Sequence, residues 1–351
     1  MINLKNLFSL EPYKTMDELK DISFLKDQKK ISKFHYKNCL EYKNICDNIF
    51  KKIDNCKTLD ELPFVHVKIF KEFNLSSIDK KKLSKVMHSS GTSGGTKSKI
   101  NIDKSTSLIQ SKALINIFST IIKKKTTFFF IEDQMQKNSN SISASIAAIR
   151  GFMQLSKKSF FINNNKKLNF KLLINFIKNN PNEEFVIFGF TNNIWTDLIN
   201  VLAKKSITLP KNKGILIHGG GWKKLEKKSV SKKIFNKKIE KVIGIKKIYN
   251  YYGMVEQTGS VYLECEKNFY HPSIFSQILI RNKDLSVAKE KEVGLIQTMS
   301  LLQLSYPGNN ILTEDLGKIE GVDDCKCGRK GKYFSIIGRV PGTEKRGCSD
   351  T

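Results

Sequence analysis

The sequence is short of acidic residues, cysteine, tryptophan and long apolar runs. Its 351 residues include 33 Asp and Glu against 61 Lys and Arg, with seven Cys and two Trp. So few cysteines, without a dense spacing pattern, exclude a disulfide-stabilised scaffold and are typical of a reducing compartment. The longest apolar runs, such as TTFFFI and GILI, are far shorter than the roughly 18 residues that a membrane-spanning helix needs. We therefore expect no membrane span.

Nothing at the start of the chain resembles a secretion signal. The opening residues MINLKNLFSLEPYK contain no long apolar stretch followed by a small-residue cleavage site. Hydrophobic residues make up 40% of the chain, which is enough for a large buried core and excludes a disordered protein. We therefore expect a cytoplasmic, globular protein of one large domain or two closely joined ones.

The formal net charge is +28, a value that raises the question of nucleic-acid binding. The lysines, however, are spread along the whole chain in segments such as KDQKKISK and NKKIEKVIGIKK. A nucleic-acid module would gather them on one face with interleaved aromatic residues. The sequence therefore favours a solvated basic surface and predicts no nucleic-acid partner, with a basic binding module kept as an alternative.

Apolar periodicity predicts an α/β protein. Short runs such as TTFFFIED, EFVIFGF and GILIH are typical of buried strands and alternate with amphipathic segments. From Lys246 onward strand-like runs predominate, which favours a partly separate β subdomain at the end of the chain. The predicted division is a helical cap at 1–60, an α/β core at 61–245, a β-rich subdomain at 246–338 and a tail at 339–351.

The sequence also predicts where several helices begin. One follows Ser105 or Thr106 as N-cap, a second covers 142–155, and a third covers 191–204 with Thr191 or Asn192 as cap. The segment SKKIFNKKIEKVIG reads as a basic helix.

The segment HSSGTSGGTKSKI, at 88–100, is the most informative loop. Within it, Gly91 to Ser98 is one residue short of the nucleoside-triphosphate loop GxxxxGK[ST], because Thr96 replaces the second glycine. A β-branched residue there lacks the backbone freedom of glycine. A P-loop nucleoside triphosphatase stays an alternative, since Asp133 at the end of FFFIED is placed like a magnesium-binding carboxylate.

The same loop resembles the phosphate loop of adenylate-forming enzymes, the superfamily that includes acyl-CoA ligases. In such a loop, glycines let backbone N–H groups approach phosphates, and hydroxyl groups donate to phosphate oxygens. The resemblance implies that ATP phosphates are bound by Ser89, Ser90, Gly91, Thr92, Ser93, Gly94 and Lys97.

Four further segments follow in the order found in that superfamily: GGGW at 219–222, YGMVE at 252–256, TEDLG at 313–317 and Gly338-Arg339. The resemblance implies that Glu256 holds Mg²⁺. It implies an adenine and ribose site at Gly219, Gly220, Gly221, Tyr252, Gly253, Asp315 and Arg339. We expect Trp222 and Met254 to shape the acid pocket.

Two differences from the usual adenylate-forming pattern narrow the resemblance to one family. Val255 replaces the usual threonine, and the chain ends twelve residues after Arg339, where most relatives continue into a domain with a catalytic lysine. Both features are similar to the LuxE family of acyl-protein synthetases, as are the segments PFVHVKIFKEF and GRVPGTEKRGCSDT. The resemblance implies an α/β adenylate-forming N-terminal domain with a strand-rich C-terminal subdomain and without the mobile lysine domain.

In that family a cysteine near the C-terminus is acylated by the enzyme's own acyl-adenylate, and Cys348 stands in this place. The resemblance thus implies ATP-dependent activation of a carboxylic acid, expected to be a fatty acid, as acyl-AMP. It also implies transfer of the acyl group to Cys348 and delivery to a partner such as an acyl reductase or acyltransferase. The alternative is an acid–CoA or acid–carrier-protein ligase.

The other cysteines carry weaker signals. Cys325 and Cys327 offer two metal ligands, but a structural zinc site needs four and no second pair is near in sequence. We therefore interpret the CKCGR segment as a turn. Cys265 is expected to be a small core residue, like the three cysteines of the first 60 residues.

Overall fold

The computed structural model describes residues 2–89, 96–123, 125–133, 141–164, 167–222 and 229–343. The helices in these ranges are α1 Leu4–Ser9, α2 Asp17–Asn38, α3 Leu40–Ile49, α4 Ile69–Glu72, α5 Lys104–Phe118, α6 Ala144–Met153, α7 Phe170–Asn179, α8 Thr191–Asn193, α9 Asn200–Lys204 and α10 Lys232–Ile243. A π-helix, Ile194–Ile199, joins α8 to α9, and 3₁₀ turns lie at Ile53–Asn55, Lys80–Lys82 and Val255–Gln257.

The strands are β1 Val65–His66, β2 Leu83–His88, β3 Lys99–Asp103, β4 Thr126–Asp133, β5 Ser141–Ser143, β6 Ser156–Asn164, β7 Lys167–Leu168, β8 Glu184–Phe190, β9 Lys213–Gly219, β10 Lys247–Tyr252, β11 Tyr262–Glu264, β12 Tyr270–His271, β13 Ser276–Arg281, β14 Gly294–Ser300, β15 Asn310–Val322 and β16 Lys332–Arg339. Among the described residues no helix is long and apolar enough to cross a membrane.

One large sheet changes from parallel to antiparallel pairing at β10. Strands β6, β4, β8, β9 and β10 are parallel neighbours, and β11, β12, β16, β15, β14 and β13 continue the sheet with antiparallel pairing. A separate small sheet has the order β3-β2-β5. The predicted boundary at 245/246 lies between the paired strands β9 and β10; the division into domains stays a prediction.

Strand β4 shows how the sequence builds this layered core. Phe128 and Phe130 pack in one hydrophobic cluster with α5 and α6, whereas Phe129 and Ile131 pack in another with α7 and α10. All four side chains are fully buried. A strand in the middle of a parallel sheet is covered on both faces, so its apolar run is continuous and not alternating. Each such burial contributes about 1.5–3 kcal/mol.

The predicted strands at TTFFFIED, EFVIFGF, KIYNYY and KYFSIIGR are confirmed. The predicted caps of two helices are wrong. Helix α5 is capped by Asp103, whose Oδ1 accepts a hydrogen bond from the Thr106 backbone N–H at 2.7 Å. The helix at 191–204 has no side-chain cap, because Thr191 lies inside it and its hydroxyl contacts the turn after β9. Helix α6 begins two residues later than predicted, at Ala144, because Ile142 belongs to β5.

Candidate active site

A cavity of about 380 Å³ opens at the junction of β9, β10, β15 and β16. It is lined by backbone and side chains from both halves of the large sheet. Nine of the predicted site residues line it: Ser89, Gly220, Gly221, Tyr252, Gly253, Met254, Glu256, Asp315 and Arg339.

Strand register brings two of these residues together. Asp315 on β15 pairs directly with Arg339 on β16, and Arg339 Nε lies 3.2 Å from Asp315 Oδ1. Tyr252, at the end of β10, donates a hydrogen bond from its hydroxyl to Asp315 Oδ2 at 2.6 Å. Burial, together with the Asp315 carboxylate, raises the pKa of Tyr252 well above its ordinary value. The phenol therefore stays protonated and remains a donor.

A second carboxylate, that of Glu314, also holds the Arg339 side chain in position. Glu314 is buried, and its two oxygens lie 3.1 Å from Lys68 Nζ and 2.9 Å from Arg339 Nη2. Arg339 therefore connects the carboxylates of Glu314 and Asp315. A bidentate or bridging guanidinium fixes geometry more strongly than a lysine does.

Glu256 lies in the 3₁₀ turn that follows β10 and is 3% exposed. Its Oε1 accepts a hydrogen bond from the Ser98 hydroxyl at 2.6 Å. The next residue, Gln257, donates through Nε2 to the carbonyls of Thr298 and Gly308, which anchors the turn. The carboxylate is therefore held in one place at the wall of the cavity.

Ser98 also joins Glu256 to the predicted phosphate loop. Strands β2 and β3 are antiparallel, with His88 paired to Lys99, so the loop connects a hairpin. Ser98 N–H donates to Ser89 Oγ at 2.9 Å, and Ser89 N–H donates to Ser98 O at 3.2 Å. These bonds close the base of the hairpin connection beside the Glu256 carboxylate.

The glycine segment after β9 forms a second wall. Gly219 is buried against Tyr251, where a Cβ atom would lie 2.4 Å from the ring. Gly220 has a φ of +70°, a left-handed conformation that favours glycine. The Thr191 hydroxyl is 2.9 Å from the Gly220 carbonyl oxygen. Gly219 therefore allows close packing behind the cavity, whereas Gly220 and Gly221 line it.

A neighbouring cavity of about 370 Å³ shares Gly220, Asn250, Tyr270 and Ile336 with the first. Trp222 lines this second cavity and not the first. It packs edge-on against Trp195 and Phe235.

His218 also lines the second cavity, and its burial lowers its pKa to about 3. The imidazole is therefore neutral at physiological pH. Lys232 and Glu264 form an ion pair at the same wall.

The predicted residues therefore divide into four groups. Nine of them, including Met254, line the first cavity, whereas Trp222 lines the second. Lys97 is exposed, and neither Lys97 nor Gly219 is among the residues lining either cavity. The predicted residues Ser90, Gly91, Thr92, Ser93, Gly94 and Cys348 lie outside the described residues.

Sequence reasoning missed several residues of the site. Ser98 is one of them, and its position close to the predicted phosphate-binding hydroxyls is a signal that the sequence does carry. Asn250 stands two residues before Tyr252, and Glu314 directly precedes Asp315. Lys68 carries no local signal, because its contact with Glu314 spans most of the chain.

Comparison with known protein families tests the resemblance to the LuxE family. The family model described as "Acyl-protein synthetase, LuxE" matches residues 4–351. The chain belongs to the LuxE family of acyl-protein synthetases. A relative in this family, the long-chain-fatty-acid–luciferin-component ligase of Aliivibrio fischeri, is 24% identical over 331 residues, which are 90% of this chain and 84% of that protein.

Solved structures show the same fold. A 2-hydroxyisobutyryl-CoA ligase in the postadenylation state with 2-HIB-AMP matches with a TM-score of 0.73 and 14% identity, covering 93% of this chain and 69% of that chain. Its open conformation with 2-HIB-AMP and CoA matches with a TM-score of 0.73 and 15% identity, covering 94% and 77%. The predicted adenylate-forming fold is thereby confirmed.

Membership of the LuxE family makes the chain an enzyme, an adenylate-forming acid–thiol ligase. The match spans the GTSGGTKS segment that suggested a P-loop nucleoside triphosphatase and decides against that alternative.

Proposed function

We propose that this LuxE-family enzyme uses ATP to convert a fatty acid into an acyl-adenylate and then transfers the acyl group to its own Cys348. The observation that carries the proposal is one cavity lined by Tyr252, Glu256, Asp315 and Arg339, with Ser89 and Ser98 at the base of the phosphate-loop hairpin beside it. The A. fischeri relative, a long-chain-fatty-acid ligase, supports the choice of acid.

The first half-reaction activates the carboxylic acid. A carboxylate oxygen attacks the α-phosphorus of ATP, the bond from that phosphorus to the β-phosphate bridge breaks, and pyrophosphate leaves. In this proposal Asp315 accepts hydrogen bonds from the ribose hydroxyls, and its contacts with Tyr252 and Arg339, which hold the carboxylate in position, support that role. Preorganised charges of this kind need no rearrangement during the reaction.

Glu256 is the residue that would hold magnesium. Carboxylate oxygen is the ligand that Mg²⁺ prefers, usually one or two from the protein with the remainder from phosphates and water. The hydrogen bond from Ser98 leaves the carboxylate fixed beside the phosphate-loop hairpin. When bound, the ion would neutralise charge on the phosphates.

The second half-reaction moves the acyl group to sulfur. The Cys348 thiolate attacks the acyl carbon, the bond from that carbon to the AMP oxygen breaks, and AMP leaves with the electron pair. In the sequence, Lys345 and Arg346 precede Cys348 by three and two residues, respectively. Positive charges so close favour the thiolate, which is the reactive form.

The thioester would then pass to a partner protein. An acyl reductase or an acyltransferase is the class of enzyme that consumes a protein-bound thioester. A second candidate function, an acid–CoA ligase, is favoured by the fold likeness to the 2-hydroxyisobutyryl-CoA ligase structures. The acceptor of the acyl group distinguishes the two: a cysteine of this chain or a free thiol.

ATP–pyrophosphate exchange across a panel of carboxylic acids tests the proposal. We expect exchange only with the matching acid, with AMP and pyrophosphate as products. ADP and phosphate as the products would contradict adenylation. Transfer to added CoA without any labelled protein would support the CoA ligase instead.

Replacing Asp315 with Asn should weaken the use of ATP. The amide keeps the shape of the carboxylate but loses the ion pair with Arg339. Hydrogen bonds to charged groups contribute about 1.5–3 kcal/mol, so we expect kcat/KM for ATP to fall by roughly 10- to 100-fold. Steady-state pyrophosphate exchange measures this.

The matched control for this change is Asp27→Asn, on the surface helix α2, which should keep wild-type kinetics. Unchanged kcat/KM in Asp315→Asn would remove Asp315 from the ribose site.

A further inference from the structure

Four side chains with metal-ligand chemistry converge in the antiparallel part of the large sheet. Cys265 follows β11, His271 ends β12, and Cys325 and Cys327 lie in the connection between β15 and β16. Their ligand atoms all lie within 4.8 Å of one another. The first three side chains are buried, and Cys327 is half-buried.

The spacing fits a tetrahedral metal ion. His271 Nε2 lies 3.5 Å from Cys327 Sγ. With Zn–N of about 2.05 Å and Zn–S of about 2.3 Å, two ligands at the tetrahedral angle are roughly 3.6 Å apart. The cysteines that the structure describes are all free thiols, so no disulfide competes for these sulfur atoms.

The local backbone also has the form of a metal-binding turn. Gly328, directly after Cys327, has a φ of +81°, and its N–H donates to the Cys325 carbonyl at 2.9 Å. The Arg329 N–H donates to Cys327 Sγ at 3.4 Å. Such N–H groups orient and stabilise a thiolate in the second shell of a metal.

We propose that Cys265, His271, Cys325 and Cys327 form a structural zinc site. Three thiolates and one imidazole are the soft ligands that select Zn²⁺ over Mg²⁺ or Ca²⁺. Four protein ligands fill a tetrahedral ion completely, so no position is left for a reacting water. The proposal gives the CKCGR turn and the buried Cys265 a role that the sequence analysis did not assign to them.

The site would link the short strand β12 to the connection that precedes β16. These strands share one register pair, Tyr270 with Phe334, and β12 has two residues. Tyr270, the neighbour of His271, lines the candidate active-site cavity. A zinc ion at this place would therefore hold one wall of that cavity without taking part in the reaction.

Metal analysis of the untagged full-length protein tests the proposal directly. Protein purified from zinc-supplemented cells should contain about one zinc ion per chain. A mercurial reagent that modifies thiols should release it. Once excess thiol has removed the mercurial, the zinc-free protein should unfold at a temperature at least about 5 °C lower, and one equivalent of zinc should restore the original unfolding temperature.

Variants locate the ion. Cys325→Ser and Cys265→Ser should lose most of the zinc, whereas Cys46→Ser, a buried cysteine outside the cluster, and Glu256→Gln should retain it. If a ligand variant fails to fold, substitution of cobalt into the wild-type protein gives the same information, because tetrahedral thiolate ligation produces intense visible absorption. Zinc-free protein that takes up no zinc under reducing conditions, or full zinc content in both ligand variants, would overturn the proposal.

Discussion

Replacing Glu256 with Gln is expected to abolish ATP–pyrophosphate exchange while leaving the fold intact. Glutamine has nearly the same shape and can still accept the hydrogen bond from Ser98, but it lacks the charge proposed to hold Mg²⁺. Metal-ion stabilisation of transition-state charge contributes several kcal/mol, so we expect a loss of more than about 100-fold. Exchange assays at saturating acid measure the loss.

Two companion variants sharpen this result. Ser98→Ala removes only the hydrogen bond that positions Glu256, so a smaller loss, on the order of 10-fold, is expected. Glu240→Gln, on the surface of α10, should keep wild-type activity and thermal stability. Wild-type exchange in Glu256→Gln would show that another residue holds the metal.

Replacing Cys348 with Ser is expected to separate the two half-reactions. The variant should exchange pyrophosphate at the wild-type rate, because adenylation needs no thiol. It should hold no hydroxylamine-labile acyl group, since a serine hydroxyl without an activating base is a far weaker nucleophile. Intact-protein mass spectrometry after incubation with ATP and the acid detects the acyl adduct on the wild-type chain and its loss in the variant.

Cys56→Ser provides the control, because Cys56 is buried in the hydrophobic core and should not be acylated. An acyl adduct that maps to another cysteine, or that persists in Cys348→Ser, would exclude Cys348 as the acceptor. Adenylation would be unaffected by that outcome, as pyrophosphate exchange reports it independently.

The amino-acid pattern predicted the parallel half of the sheet well. Continuous apolar runs such as β4 and β8 carry their own signal, because both faces of a central parallel strand are buried. The helix caps were harder to predict. Helix α5 begins next to three good capping residues, Asp103, Ser105 and Thr106. Tertiary contacts decide between them, because the Thr106 hydroxyl is hydrogen-bonded to Ser305 and Asp103 accepts the bond from the Thr106 N–H.

The candidate active site was largely predictable because its residues stand in contiguous segments with a known order. The segments YGMVE and TEDLG named Tyr252, Glu256 and Asp315 without any coordinates. What joins them was not predictable. The pairing of Asp315 with Arg339 depends on the β15–β16 register, and the bond from Ser98 to Glu256 spans 158 positions.

The sequence by itself determined the α/β class, the adenylate-forming resemblance and most of the chemistry-bearing residues, because these depend on local periodicity and on short motifs. Tertiary structure alone decided which of these residues share a cavity and placed Trp222 in a second one. It also brought Cys265 and His271 to the CxC turn. The physical reason is the same in each case: strand pairing joins residues that are distant along the chain, and a contact of that kind leaves no trace in local spacing.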